Sequence, residues 1–446
     1  MENKKSLCKI FDCCDTKILY NGFDNTLSEL DSELQNVLGN EDNIYNNQCF
    51  EGVSCEYDIG LIKLKSSGML RHVVFSLTED CNFRCKYCGY HDNRFSSETS
   101  PKSINEATLV RALDFIIIHS SEGCDTLISF YGGEPLLKLD SIKFAIAYLE
   151  KKNHWGHKFY YRLTTNGTLL KGNVVDYLVS KDVTCTISLD GPAYLHDRYR
   201  VYKDNKPTYS DIIENVKHIA KKYPQYYKNN IRFNTVISPP FNRLIPKSYF
   251  EKSNVFRIDV SIGDYFRDIL NTEHGISPTD LIDNNTHIVK INFSSDEILK
   301  DMNFIETMKK YMCIGIKDER KFIFPSGFCN PLVKRIHIGV DGKLMLCERV
   351  DEKNPNFHFG NVFDGYNYEK IDLLYRYTNK ILEGNCNKCW AFRFCDACFA
   401  TLDKIEYDGD YCKKFRKYAE RGITNYLNLK FYNKRFDSIM NSISTD

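Results

Sequence analysis

An excess of charge of either sign is missing from this 446-residue chain: 60 Lys and Arg stand against 59 Asp and Glu, a formal charge of +1. That balance excludes a generally basic nucleic-acid binder and an acidic disordered tail. Proline is scarce, at 12 residues, and 42% of the chain is hydrophobic, which excludes wholesale disorder. No apolar run approaches the ~18 residues of a transmembrane helix, and the N-terminal MENKKSLCKIFDCC has no signal-peptide apolar region. Internal repeats and low-complexity tracts are absent too. At ~150 residues per domain, two to three domains are expected, in a soluble cytoplasmic protein with neither nucleic acid nor membrane as partner.

Cysteine, by contrast, is abundant: 18 residues. In a large chain without a secretion signal, clustered thiols point to metal rather than to a disulfide framework. Two clusters stand out, Cys81, Cys85 and Cys88, and Cys386, Cys389, Cys395 and Cys398 with Cys412 just beyond. Cys124 and Cys185 fall singly in apolar segments and read as core residues. Cys8, Cys13, Cys14, Cys49 and Cys55 show no ligand spacing and read as ordinary thiols.

Between about 71 and 262, β-rich runs alternate with helical patterns. Strands are predicted at 72–78, 126–132, 158–165, 183–190, 231–238 and 255–262, rich in Val, Ile, Phe, Tyr and Thr. Helices are predicted from a capping box at Ser103–Glu106 through Ile118, and at about 140–152, 173–180 and 209–222. Such alternation gives a parallel sheet with helices outside, a barrel or partial barrel, with its chemistry at the carboxyl ends of the strands. Before residue 71, KIFD and KILYN pair as a hairpin, and Thr26–Glu29 is placed to cap a short helix ending near Gly39. Past 310 the alternation stops. RIHIGVDGKLMLC (335–347) predicts a hairpin turning at Asp341-Gly342, followed by a Cys-rich knot and a basic helical tail from about 412.

The first predicted strand leads into Cys81-Asn-Phe-Arg-Cys85-Lys-Tyr-Cys88. Three thiolates on one loop suit one face of an iron–sulfur cubane and leave a fourth iron open. A zinc site needs a fourth ligand, for which His91 is the candidate. The Cys-x3-Cys-x2-Cys spacing, with Tyr87 before the last Cys, resembles the signature of radical S-adenosylmethionine (SAM) enzymes. In that family the open iron binds the methionyl group of SAM, whose reductive cleavage gives a 5′-deoxyadenosyl radical that abstracts a substrate hydrogen. Gly132-Gly133-Glu134-Pro135 resembles the family's segment that meets the SAM amino group. Thr164-Thr-Asn166-Gly-Thr168 resembles its third-strand turn. Ser188-Leu-Asp190-Gly-Pro192, with His196 and Arg200, resembles the segment holding the SAM ribose and carboxylate. The resemblance implies a partial (βα)6 TIM-like barrel, so the expected fold class is α/β, with a small N-terminal α+β segment and a Cys-rich C-terminal domain.

Cys329-x12-Gly342-x4-Cys347, then Cys386-x2-Cys389-x5-Cys395-x2-Cys398, then Cys412, resembles the SPASM domain with its two auxiliary 4Fe–4S clusters. The family has three residues, not Asp396-Ala397 alone, between the third and fourth clustered Cys. The resemblance implies Cys386, Cys389, Cys395 and Cys412 on the outer cluster and Cys329, Cys347 and Cys398 on the inner, with Cys313 as candidate eighth ligand. Glu348, where sulfatase-maturing relatives carry an Asp, is the candidate general base. A zinc ribbon at 386–398 is the competing reading.

Domains are expected at 1–70 (possible leader-peptide recognition), 71–305 (radical SAM core) and 306–446 (auxiliary clusters). The resemblance implies an oxidoreductase acting on a ribosomally made peptide with a leader, forming a thioether or carbon–carbon cross-link. Electrons would come from a flavodoxin or ferredoxin. Oxidation of a sulfatase Cys or Ser is the alternative, and a non-catalytic zinc- or cluster-binding protein the outsider.

Overall fold

Strands whose residues alternate between apolar and polar faces, joined by helices, organise most of the chain. A computed structural model describes residues 7–13, 16–30, 70–88, 101–120, 125–152, 158–236, 249–250, 260–263, 308–317, 332, 334–350, 352–387 and 389–443. Two compact units interleave in sequence. One comprises Met1–Asp58, Thr286–Cys329 and Asp372–Asp446, the other Ile59–Asn285 and Asn330–Ile371.

In the second unit, β4 (His72–Thr78), β5 (Thr126–Gly132), β6 (Phe159–Thr165), β7 (Thr184–Ser188), β8 (Ile231–Val236) and β9 (Val260–Gly263) pair in parallel and in order. Helices α1 (Glu106–His119), α2 (Leu139–Lys152), α3 (Asn173–Ser180), α4 (Ala193–Tyr199), α5 (Tyr209–Lys222) and α6 (Pro224–Asn230) lie between them in the chain. The predicted strands and main helices are present over the described residues. The start of α1 differs from expectation. Asn105 is its N-cap, accepting from the Thr108 amide, because the Ser103 hydroxyl is already bonded to that of Thr78.

The predicted hairpin, β10 (Arg335–Ile338) and β11 (Lys343–Met345), turns through Gly342 at φ +79°. β10 adds in parallel to the outer edge of β4, and β12 (His358–Asn361) and β13 (Gly365–Tyr366) continue the sheet antiparallel. The expected barrel-like arrangement is therefore an open, mostly parallel ten-stranded sheet among the described residues. The edge of β4 that closure would need is taken by β10.

Register gives the sheet two unlike faces, because side chains alternate along each strand. Val73, Phe75, Leu77, Ile128, Phe130, Leu163, Cys185, Ile187, Ile231 and Phe233 share one face and are all buried. Each contributes roughly 1.5–3 kcal/mol of burial if it is a large apolar side chain. His72, Ser129, Arg162, Thr186, Arg232, Arg335 and His337 share the other.

In the first unit, β1 (Cys8–Cys13) and β2 (Thr16–Asn21) form the predicted hairpin. The expected helix at Thr26 is instead β3 (Thr26–Leu30), paired antiparallel with β2; its expected end near Gly39 lies outside the described residues. Five consecutive pairings with β2 outweigh a local capping pattern. Phe11, Ile18 and Tyr20 pack with Trp390, Phe394, Ile423, Leu427 and Phe436, the last three from α8 (Asp410–Tyr432) and α9 (Phe436–Ile443). α7 (Tyr368–Asn385) leads into the Cys-rich turns.

Candidate active site

The carboxyl ends of β4 to β8 bring the motif residues together. After β4 the chain turns through Cys81–Cys88; His91 lies outside the described residues. The Phe83 amide donates to the Cys81 thiol at 3.4 Å, and the Asn166 side-chain amide approaches it at 3.9 Å. Asn166 also donates to Asn82 at 2.7 Å, which ties the loop after β6 to the Cys loop. Cys81, Cys85 and Cys88 are close enough for their charges to couple.

Gly132 and Gly133 are required by close backbone approach. A Cβ on Gly132 would sit 2.3 Å from the Thr78 carbonyl oxygen, and one on Gly133 would sit 2.2 Å from that of Asp80. Gly132 also has φ +116°, which only glycine adopts readily. Glu134, next in line, is buried, and its two oxygens accept from the Leu136 amide, the Thr165 hydroxyl and the Asn166 amide at 2.8–3.1 Å. Burial lifts its pKa to about 7 against these three bonds.

The second constellation is built on Asp190, beyond β7. Arg200 donates to both its oxygens, at 2.8 and 3.0 Å, the Tyr87 hydroxyl donates at 2.6 Å, and the Val236 amide donates at 2.9 Å. Burial pushes the Asp190 pKa up, but the charge and bonds of Arg200 hold it below the usual carboxylate range. Arg200 lies over the Tyr87 ring at 5.3 Å and reaches the Cys85 thiol. His196, also buried, accepts from the Asp190 amide through Nδ1, so its Nε2 donates to Thr208 at 3.0 Å. Thr208 in turn donates to the Arg200 carbonyl. Ser188 ends β7, buried, on the polar face.

The residues fit a cluster with SAM. Burial raises the Cys81 thiol well above its ordinary value and lifts that of Cys85 to about 12, Arg200 opposing, so both await a cation to ionise them. Among the described residues no three His, Cys, Asp or Glu side chains converge as ligands of a single ion do. A cubane's thiolates bind separate irons and need no such convergence.

Elsewhere, Glu348, the candidate base, is half-buried and paired. Arg335 donates to both its oxygens at 2.7 Å. Burial pushes its pKa up, yet Arg335 holds it below the ordinary value. Cys347 belongs to the sheet unit, while Cys386, Cys389, Cys395, Cys398 and Cys412 belong to the other. There Cys389 couples electrostatically to Cys412, and Cys395 to both. Cys398 lies beside Thr401, whose hydroxyl approaches its sulfur at 3.9 Å. Cys313 is exposed, and its carbonyl accepts from Asn25 at 2.5 Å. Cys329 and Cys124 lie outside the described residues, as do Cys14, Cys49 and Cys55. Cys185 is fully buried, as its apolar segment suggested, and Cys8 and Cys13 are buried in β1.

Three residues escaped the sequence reading. Asn82 stands inside the Cys motif at a position that its spacing leaves free. Thr208 has no motif at all. Arg416, on α8 four residues after Cys412, lies over the Tyr407 ring at 4.2 Å, and its charge opposes the burial that raises the Cys389 thiol. Its i,i+4 spacing from a candidate ligand was the available signal.

Residues 75–240 match the model of the Radical SAM superfamily. The cysteine-type anaerobic sulfatase-maturating enzyme of Clostridium novyi (strain NT) is 29% identical over 196 residues, 44% of this chain and 50% of that protein. The radical SAM cyclopropyl synthase TigE of Paramaledivibacter caminithermalis is 25% identical over 187 residues, 40% and 37%. The chain thus spans half or less of the length of these curated relatives. Native anSMEcpe with bound AdoMet and the Cp18Cys peptide shares the fold at TM-score 0.59 and 18% identity, over 84% of this chain and 99% of that one.

The chain therefore carries a radical SAM domain of α/β fold, related to anaerobic sulfatase-maturating enzymes. The match takes in Cys81, Cys85, Cys88, Glu134, Asn166, Asp190 and Arg200, and the cofactors of a radical SAM domain are SAM and a 4Fe–4S cluster. Among the described residues no helix is long and apolar enough to cross a membrane.

Proposed function

We propose that this protein is a cytoplasmic radical SAM peptide maturase that cross-links a ribosomally made peptide through a thioether or carbon–carbon bond. The observation that carries the reading is the meeting of the Cys81–Cys88 loop with Glu134, Asn166 and the Asp190–Arg200–Tyr87 network at neighbouring strand ends. Bound there, the cluster and SAM supply one-electron reduction and a hydrogen-abstracting radical. The chain's own residues hold them. Cys81, Cys85 and Cys88 are the ligands of the SAM-cleaving cluster. Glu134 accepts from the SAM amino group, Gly132 and Gly133 let the backbone approach, and Asn166, Ser188 and Arg200 orient the remainder.

Cys386, Cys389, Cys395 and Cys412 hold the outer auxiliary cluster, and Cys329, Cys347 and Cys398, with Cys313 as candidate fourth ligand, the inner one. The β1–β3 sheet supports leader recognition by strand addition within residues 1–70. Residues 71–305 form the core and 306–446 the auxiliary-cluster region, fed by a flavodoxin or ferredoxin.

The relation to sulfatase-maturating enzymes favours a second reading about as well, oxidation of a Cys or Ser side chain, with Glu348 as base. Two experiments test these readings. Anaerobically reconstituted protein is expected to be brown and to form 5′-deoxyadenosine from SAM and dithionite; a colourless zinc protein overturns both. Anaerobic co-expression with a candidate peptide, should a short reading frame be found beside the gene, and separately with a peptide carrying a target Cys or Ser, then separates them. Loss of two hydrogens with ring closure marks a cross-link, and an aldehyde that reacts with hydrazine marks side-chain oxidation.

A further inference from the structure

The polar face of the sheet gathers more positive charge than its own residues neutralise. Arg162 of β6 is in register with Ser129 of β5 and Thr184 of β7, and Arg232 of β8 is in register with Thr186. Arg335 of β10 is in register with His72 of β4. By strand alternation all three arginines share one face. Arg335 is spoken for by Glu348, and Glu352 lies 3.7 Å from His337. Arg232 spends one N–H on the carbonyl of Ile231 beside it, at 3.0 Å. Among the described residues neither Arg162 nor Arg232 has an acidic partner. Arg162 is exposed on this face, whereas its strand neighbours Tyr161 and Leu163 on the other face are buried. Burial, and then the charges of Arg232 and Arg335, push its pKa below the ordinary value. Like charges on one half-desolvated face favour an anion between them, and guanidinium forks match a carboxylate in geometry.

We propose that Arg162 and Arg232 form a subsite for a side-chain carboxylate of the substrate, so that the peptide carries an Asp or Glu near its modified residue. The inference rests on the peptide-modifying reading above. Position sets the spacing. Arg162 lies four residues before Asn166, and Arg232 four before Val236, both at the cofactor rim. At ~3.3 Å per residue that is about 13 Å of strand. An extended peptide advances by the same step, and the arginine side chains span part of the gap. The acidic residue therefore lies two to four positions from the residue that loses hydrogen.

The test uses reconstituted full-length protein with SAM and two fluorescein-labelled peptides, Gly-Ala-Cys-Ala-Asp-Ala-Gly and its Asn counterpart, in fluorescence anisotropy at low ionic strength. The Asp peptide is expected to bind at least ten-fold tighter. The preference is expected to shrink to two-fold or less in Arg162→Gln/Arg232→Gln and to persist in Arg162→Lys/Arg232→Lys. Should the double Gln variant fail to fold by circular dichroism, Arg162→Gln alone is expected to lose at least three-fold of the preference. Equal binding of both peptides by the wild type, or a preference that the Gln variants keep, overturns the subsite. A wild type without Asp preference whose double variant also melts lower shows that a carboxylate of this chain fills the place, and overturns it too. SAM cleavage in the same preparation is the separate readout. If 5′-deoxyadenosine forms while the peptides bind equally, only the subsite falls; if it does not form, the radical SAM reading falls with it.

Discussion

Replacing Asp190 by Asn removes one charge from a pair nearly sealed from water: the side chains of Arg200 and Asp190 are 8% and 1% exposed. Such pairs are costly to break because the surviving charge keeps its desolvation penalty and loses its partner, typically about 3–5 kcal/mol. Here the Asn side chain keeps one carbonyl oxygen, which can accept two bonds, whereas Asp190 accepts four, two from Arg200 and one each from Tyr87 and the Val236 amide. The cost is expected at the upper part of that range, about 4–5 kcal/mol. At roughly 2 °C per kcal/mol for a unit of this size, the melting midpoint of the sheet unit falls by about 8–10 °C.

Arg200→Gln is expected to cost a similar amount. The double variant is expected to cost far less than the sum, because neither charge is then left unpaired. The assay is urea unfolding of the apoprotein under reducing, anaerobic conditions. Pulsed hydrogen exchange, read by mass spectrometry over β7 and β8, reports on the unit that contains the pair. A loss under 1 kcal/mol for Asp190→Asn refutes the reasoning, as does simple additivity of the two single variants.

Ala at Cys81, Cys85 and Cys88 together should abolish SAM cleavage and lower bound iron from about 12 to about 8 atoms per chain, by assay of iron and 5′-deoxyadenosine. Retained cleavage removes the ligand assignment. Gly133→Ala places a Cβ against the Asp80 carbonyl, so a loss of about 2–3 kcal/mol and poor cluster loading are expected; unchanged melting and iron content contradict the close approach. His196, its pKa pushed down to about 4 chiefly by burial with Arg200 adding and Asp190 and Asp197 opposing, must stay neutral in the fold. The unfolded chain binds the proton first, so this contribution is complete above the ordinary value near 6.5 and is lost as pH falls toward 4. Between pH 7 and 5 it costs about 2 kcal/mol. His196→Asn should flatten the pH dependence of urea stability over that window, and an identical slope in the variant refutes the assignment.

How much of this was legible in the sequence follows from the range of the interactions. The strands β4 to β8 announce themselves through β-branched and aromatic runs, and the β1–β2 and β10–β11 hairpins through short-range turns. β3 was misread because Thr26-Leu-Ser-Glu29 satisfies a helix-capping pattern locally, while the partner that decides its state, β2, is set by the fold. The parallel seat of β10 beside β4 joins residues some 260 positions apart, which no local pattern encodes. The motif residues were found by spacing. The groups that hold them, Asn82, Thr208 and the bonds of Asp190, were not, because a hydrogen-bond partner across strand ends leaves no period in the sequence.

The two faces of the sheet sharpen this division. On one, the alternating residues are apolar and buried, and their pattern is the folding signal itself. On the other, the same alternation places Ser129, Arg162, Arg232 and His337, residues that weaken a strand signal and contribute no apolar burial. A strand that needed only to fold would put Val or Ile there. β6 shows the contrast within one element: Tyr161 and Leu163 are buried, while Tyr160 and Arg162 between and beside them are exposed. Ser129, Arg162, Thr164, Thr186, Arg232 and Asn234 face the same side as Ser188, whose place at the end of β7 adjoins the Asp190 network. The positions where the sequence argues least well for a strand therefore share the face of Ser188, and that polarity out of step with the fold is what the proposed carboxylate subsite would use.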